Sequence, residues 1–231
     1  MTIIATMTQH YSNVVKREFS PEWGYCKKVV TINTPTAASL GIGSVLGAYV
    51  ASPVGTAGAV VGTGNGTVGA ITVVSTAVLE IATYTVKATS ASAFVLLSPV
   101  TGRVLGIGAF GVLFSQAGFS FTVTAGATAF VAGDSFPIVV TGTLKYKLND
   151  ISSTDGSEQP RVVIVGDATG RPMVSTVLAN TDINVLIMYR GPAAVADASL
   201  VFAASVTSGT VRTASLAQFT ANSGIDVLTQ L

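Results

Sequence analysis

Chemistry in this chain would have to come from very few groups: His10 is the sole histidine, Cys26 the sole cysteine, and there are 11 carboxylates in 231 residues. A serine-type nucleophile would depend on His10 as its base, and His10 lies in a segment without regular hydrophobic period. Cys26 has no second cysteine to pair with, which excludes an intramolecular disulfide and a cysteine-based metal site. Asp150, Asp155, Glu158 and Asp167 are near enough in sequence to share a calcium ion, but their spacing does not reproduce the EF-hand loop, and a solvated loop is the simpler reading. Gly64-Asn-Gly66-Thr-Val-Gly69 has the three-glycine spacing of a dinucleotide-binding turn. That chemistry needs a helix whose N-terminus faces the pyrophosphate, whereas Ala70-Ile-Thr-Val-Val74 reads as a strand, so a plain glycine turn is expected. No Gly-Lys-Ser/Thr phosphate loop and no Gly-x-Ser-x-Gly elbow occurs. The expectation is a protein that is not an enzyme, with no catalytic residues, cofactor or metal ligands.

Composition points the same way. A net charge of +1 and a pI near 7.8 give no field to gather nucleic acid. With 10% charged residues and mean hydropathy +0.62, the surface must be apolar or rich in hydroxyls, which favours association. Residues 29–79 contain no charge at all. The run from Thr36 to Gly62 is long enough to span a bilayer, but its glycines, Pro53 and many Ser and Thr make turns and strands rather than a membrane helix. Met1 to Ser20 alternates polar and apolar residues and carries Lys16, Arg17 and Glu18, unlike a secretory signal. No membrane partner is expected.

The dominant pattern is period-two alternation of β-branched and aromatic residues between Gly, Asn, Asp and Ser clusters, the mark of antiparallel sheet. Phe119, Phe121 and Val123 alternate with hydroxyl residues, so one face is apolar. Further strands are expected at Val29–Ile32, Val68–Val74, Tyr84–Ala88, Phe94–Ser98, Gly111–Phe114, Phe136–Thr141, Arg161–Val165, Ile183–Tyr189 and Ile225–Leu228. Thr213 to Gly224 predicts one helix, with Thr213 as N-cap, Leu216 and Phe219 on its buried face and Gly224 as its left-handed stop. Between Thr63 and Gly142 only Glu80, Lys87, Arg103 and Asp134 are charged, while Lys145 to Arg171 is dense in charge, a step that marks a domain boundary. Ser152 to Pro160 reads as a solvent-facing loop. Residues 1–25 combine His10, Tyr11, Phe19, Trp23 and Tyr25 with polar neighbours: either a tail packed on its own domain or an arm that docks elsewhere.

Several segments, in order, resemble phage head decoration proteins, also called capsid cement proteins. Val29-Val-Thr-Ile32 followed by Gly41-Ile-Gly-Ser-Val-Leu-Gly47 is similar to the opening of the lambda-type decoration fold. Gly166-Asp-Ala-Thr-Gly170, Met173 to Leu178, Ile187-Met-Tyr-Arg-Gly191, the Leu216 to Phe219 helix and Gly224-Ile225 resemble its close. Between them, Gly64 to Thr67, Tyr84 to Val86, Phe94, Phe121 to Thr124 and Phe130 to Phe136 look like an all-β segment found within such proteins. The resemblance implies an all-β chain: an N-terminal arm at 1–23, a β-tulip domain at 24–62 plus 143–231 with one short C-terminal helix, and an inserted antiparallel β-sandwich or barrel-like domain at 63–142. It further implies a homotrimer on the outer surface of a virion capsid, made in the host cytoplasm, with the major capsid protein as partner and with shell stabilisation as its task. Contact candidates are Tyr11, Lys16, Arg17, Phe19, Trp23, Tyr25, Lys27 and Lys28. The alternative is a virion fibre or adhesin whose inserted domain touches host glycans.

Overall fold

In the computed structural model, residues 10–19, 24–34, 38–74, 80–177, 179–206 and 209–229 are described. The chain is mostly β, as its alternation predicts, and forms two compact units: residues 1–49 with 145–231, and residues 50–144. The strands at residues 45–57 and 135–148 run through these divisions, which therefore fall within strands, at 49/50 and 144/145, and not at the expected 62/63 and 142/143.

The first unit is built around β2 (Lys27–Ile32), β4 (Val45–Ala57, through Tyr49), β12 (Ser135–Leu148, from Lys145), β13 (Pro160–Asp167) and β15 (Ile183–Met188). Their neighbour order is β2, β15, β13, β4, β12, and β12 returns to β2 as a parallel pair at Tyr146 and Ile32, closing a five-stranded ring. The Asn149 amide N–H donates to the Val45 carbonyl at 2.9 Å at the β4–β12 seam. Closure leaves the ring without free edges and encloses a side-chain core, and β3 (Ala38–Gly41) pairs antiparallel with β14 (Val174–Val177) as a separate two-stranded sheet of the same unit.

Both sides of that wall are buried, which explains why β13 reads as an unbroken apolar run. Val162 and Ile164 pack with Ile32, Leu40, Leu46, Ala48, Tyr146, Val185 and Ile187. Val163 and Val165 join a second cluster with Cys26, Val45, Met188, Val195, Phe219 and Ile225. This outer cluster is covered by helix α2 (Gly209–Ser223) and by a small sheet of β1 (Val15–Glu18), β16 (Ala193–Ala196) and β17 (Ile225–Leu228), in the order β1-β16-β17. Helix α2 ends where expected, with Gly224 at φ +67°. It begins earlier than expected, so Thr213 is an interior residue whose hydroxyl donates to the Gly209 carbonyl at 3.0 Å, and not an N-cap. Arg212, one residue before it, ties the helix to Asp197 at 2.6 Å.

Of the two readings open for the N-terminal segment, the described part fits the packed tail, and one further expectation changes. From residue 10 onward the N-terminal segment is part of its own unit: α1 (Tyr11–Val14) leads into β1, which pairs antiparallel with β16, and Val14 and Val15 are buried in the outer cluster. The apolar residues at 14 and 15 are adjacent and so gave no period, yet they fill a core. The polar loop at 152–160 is not wholly solvent-facing either. Ser157 is fully buried, and its carbonyl accepts from Asn149 Nδ2 at 2.8 Å. Gly47 lies directly beneath it, where a Cβ would stand 2.1 Å from the Ser157 carbonyl oxygen.

In the second unit, the remainder of β4 and β12 joins β7 (Thr83–Ala88), β8 (Ala93–Leu97) and β9 (Val104–Ala109) in one sheet, ordered β4-β12-β7-β8-β9. A smaller sheet holds β10 (Leu113–Gln116) and β11 (Phe119–Thr124), with the short β5 (Thr67–Val68) and β6 (Thr72–Val73) on β11. The core is aromatic: Phe94, Phe114, Phe119, Phe121, Phe130 and Phe136 are all buried with Tyr84 and Ile138. Phe119, Phe121 and Val123 face inward as their alternation predicts. The expected strand at 68–74 is two two-residue strands, and Gly111, at φ +77°, belongs to a turn before β10.

Candidate functional site

The glycine run is a turn closed by a carboxylate. Asp134 accepts backbone N–H bonds from Val131, Thr63 and Gly64, each at 2.9 Å. The Gly64 amide, at the start of the run, is thus engaged by an anion of the chain itself. The glycines have a packing reason as well, since a Cβ on Gly66 would meet the Phe130 ring at 2.4 Å. The three N–H donors hold the Asp134 carboxyl below the usual carboxylate range, against the smaller opposing effect of burial. A carboxyl more acidic in the folded than in the unfolded chain contributes stability above its unfolded pKa and loses it as pH falls through the folded value. Asp134→Asn should therefore lower the melting temperature at neutral pH, because an amide N–H would face a backbone N–H. The difference from wild type should shrink between about pH 5 and pH 3. Thermal melts across that range check it, and a pH-independent difference would contradict the assignment.

The contact candidates named from the sequence separate into three groups. Tyr11 and Lys27 are turned inward onto Glu18: the Tyr11 hydroxyl donates to Glu18 Oε2, Lys27 Nζ lies 3.2 Å from Glu18 Oε1, and Lys27 stands 5.4 Å from the Tyr11 ring centre. Burial, then the hydrogen bond to Glu18 and its charge, pushes the Tyr11 phenol well above its ordinary pKa. These side chains bind the N-terminal segment to β2 and have little left to offer a partner. Arg17 and Lys16 are exposed. Arg17 pairs with Asp226 at 3.0 Å across Ala194, the three residues forming one cross-strand row of β1, β16 and β17. An ion pair this exposed contributes little stability. Lys16 reaches back to the Ser12 carbonyl at 3.1 Å.

The third group is brought together. Phe19 and Tyr25 meet edge to face at 5.7 Å, and both stand out from the surface, 54% and 41% exposed. The Arg190 guanidinium lies 3.9 Å over the Tyr25 ring and 4.9 Å from that of Tyr189, with its Nε donating to the Tyr25 carbonyl at 2.9 Å. Lys28 stands 4.7 Å from the Tyr189 ring and 5.9 Å from that of Tyr146. Trp23 lies outside the described residues.

The backbone explains this gathering. β2 and β15 pair antiparallel with Lys28 opposite Ile187, and the Tyr189 N–H continues the pairing to the Cys26 carbonyl at 2.9 Å. Val30 and Ile32 on β2, and Val185 and Ile187 on β15, pack in the enclosed core. Lys28 and Tyr189 are the next members of these two period-two series, so they carry the inward face to the strand ends. Arg190, Tyr189 and Tyr146 were missed by sequence reasoning. The adjoining Tyr-Arg at the end of an apolar strand was the available signal, because a strand terminus beside a turn presents its side chains to solvent.

No protein-family model and no curated protein matches the sequence. Among solved structures, the chain is similar to FlgL from Xanthomonas campestris, at 19% identity and TM-score 0.29, over 46% of this chain and 33% of that one. It is also similar to the flagellar hook junction protein FlgK from Burkholderia pseudomallei, at 19% identity and TM-score 0.31, over 59% of this chain and 25% of that one. The chain thus spans a third or less of the length of these proteins. Neither is a phage decoration protein, and overlaps this slight assign the chain to no family.

Proposed function

We propose that the chain is a structural virion protein that binds the outer surface of an icosahedral phage capsid, as trimers at local threefold positions, and stabilises the shell against internal DNA pressure. The observation that carries this reading is how the chain sorts its decoration-like segments. Those near both ends of the sequence, Val29–Ile32, Gly41–Gly47, Gly166–Gly170, Ile187–Gly191 and Leu216–Ile225, lie in one unit, although about 120 residues separate the first pair from the rest. The intervening segments that resemble the inserted part, from Gly64 to Phe136, lie in the other.

The role requires binding and no turnover. A protein that binds the closed shell and not its free subunits stabilises that shell by mass action. Linking three copies raises the effective concentration for each further contact, so individually weak contacts hold together. The N-terminal segment enters this account differently from a free arm: over residues 10–19 it is bound to its own unit, and the shell contact proposed is a surface of that folded unit. Undecorated shells mixed with the protein should release their DNA at a higher temperature than bare shells, followed by a dye that fluoresces on DNA. Coincident release curves at saturating protein would count against the proposal.

A further inference from the structure

The carboxylates described in the first unit are engaged. Glu18 is held by Tyr11 and Lys27, Asp226 by Arg17, Asp182 by Lys145, Asp155 by Lys147 and Asp197 by Arg212. Asp150, Asp167 and Glu158 accept bonds from hydroxyls and amides of nearby residues. Among the described residues several cations form no ion pair with a carboxylate, and two of them, Lys28 and Arg190, lie within 5 Å of one ring centre, that of Tyr189. We propose that the face made by Phe19, Tyr25, Arg190, Tyr189 and Lys28 is a docking surface for an extended acidic peptide segment with carboxylates on alternate residues.

Three features argue for that occupant. Arg190 is preorganised: stacked on Tyr25 and held through Nε by the Tyr25 carbonyl, its terminal N–H groups remain for a bidentate carboxylate with little further loss of side-chain freedom. The second charge, Lys28, is within reach of the same ligand, since both cations lie within 5 Å of the Tyr189 centroid. Same-side residues of an extended strand repeat at about 6.6 Å, a spacing that lets one segment meet both. The exposed Phe19 and Tyr25 rings then supply apolar contact beside the charges, the mixture of aromatic and Arg that dominates protein interfaces. A nucleic acid is a poor fit, because two cations on a chain of net charge +1 give no continuing track for a polyanion.

The origin of the segment in the shell protein rests on the proposed function, and the docking chemistry does not. The full-length protein would be titrated by NMR with a blocked peptide of alternating Glu and Val, with the same peptide carrying Gln, and with a single-stranded DNA oligonucleotide. The Glu peptide should give saturable shifts centred on residues 25, 28, 189 and 190. Its affinity should fall about tenfold or more in the Lys28→Gln/Arg190→Gln double variant, once that variant is shown to melt as wild type does. Equal binding of the Gln peptide, shifts elsewhere, stronger binding of the DNA, or an unaffected double variant would each overturn the proposal. Undecorated shells form the second arm. Shells that bind wild type and double variant alike contradict the shell protein as the source of the segment and leave the decoration reading standing, whereas a protein that takes the Glu peptide but no shell supports the surface and removes the decoration reading.

Discussion

Replacing Phe94 by alanine should destabilise the second unit by about 3–5 kcal/mol, the range for deleting a large aromatic side chain from a closed core. Phe94 is fully buried and is the hub of the aromatic cluster, with ring centres of Phe110, Phe114 and Phe121 at 5.4, 5.7 and 6.0 Å. Its neighbours cannot close the gap easily. On β9 Gly108 lies against the ring so closely that a Cβ there would be 2.3 Å from it, so the backbone, and not a movable side chain, forms that wall. Hydrogen exchange of the intact protein should show amides of β7, β8 and β11 losing protection while those of β13 and β15 keep theirs. Phe94→Leu, which retains most of the volume, should lose much less. Undiminished protection in Phe94→Ala would mean that the aromatic cluster does not hold the two sheets together.

Gly47→Val should be comparably severe in the first unit, at or above the upper end of the ~1–3 kcal/mol typical of overpacking. At 2.1 Å from a new Cβ, the obstacle is the Ser157 carbonyl, which also accepts the Asn149 Nδ2 bond. Moving it would leave the fully buried Asn149 amide without its acceptor, a loss of hydrogen bonding added to the steric one. Gly47→Ala meets the same atom and should already lose most of the stability. Denaturant melts check this, and an unchanged midpoint for both variants would place the 152–160 loop elsewhere.

The strands that face one core were legible from residue type alone. In β11 the alternation of Phe119, Phe121 and Val123 with hydroxyls gave both the strand and its buried face. In β13 the run Val162 to Val165 was a recognisable strand, but its double burial was not, because an apolar run looks the same in a closed ring as between two sheets. β4 was legible only in part: Gly47, Pro53 and Gly55 read as turn and strand material with no alternation to set its bounds, yet they belong to one 13-residue strand where neighbouring backbone and side chains come close to the glycines. At the candidate surface, Phe19, Tyr25 and Lys28 were found as exposed-type residues near the N-terminus. Arg190 and Tyr189 were not, because their role comes from the antiparallel pairing of β2 with β15, a contact across more than 150 residues of sequence. Tyr11 and Lys27 were indistinguishable from them by type, and only the position of Glu18 turns them inward.

Decoration of a capsid by trimers is the central claim, and counting copies tests it most directly. Purified protein would be mixed with expanded, undecorated phage capsids, those of any phage found to carry its gene first, and imaged by electron cryo-microscopy, with the mass of the free protein measured alongside. The account predicts saturable, trimeric density on the outer surface at local threefold positions. Capsids that remain bare at concentrations well above that of the sites would contradict it.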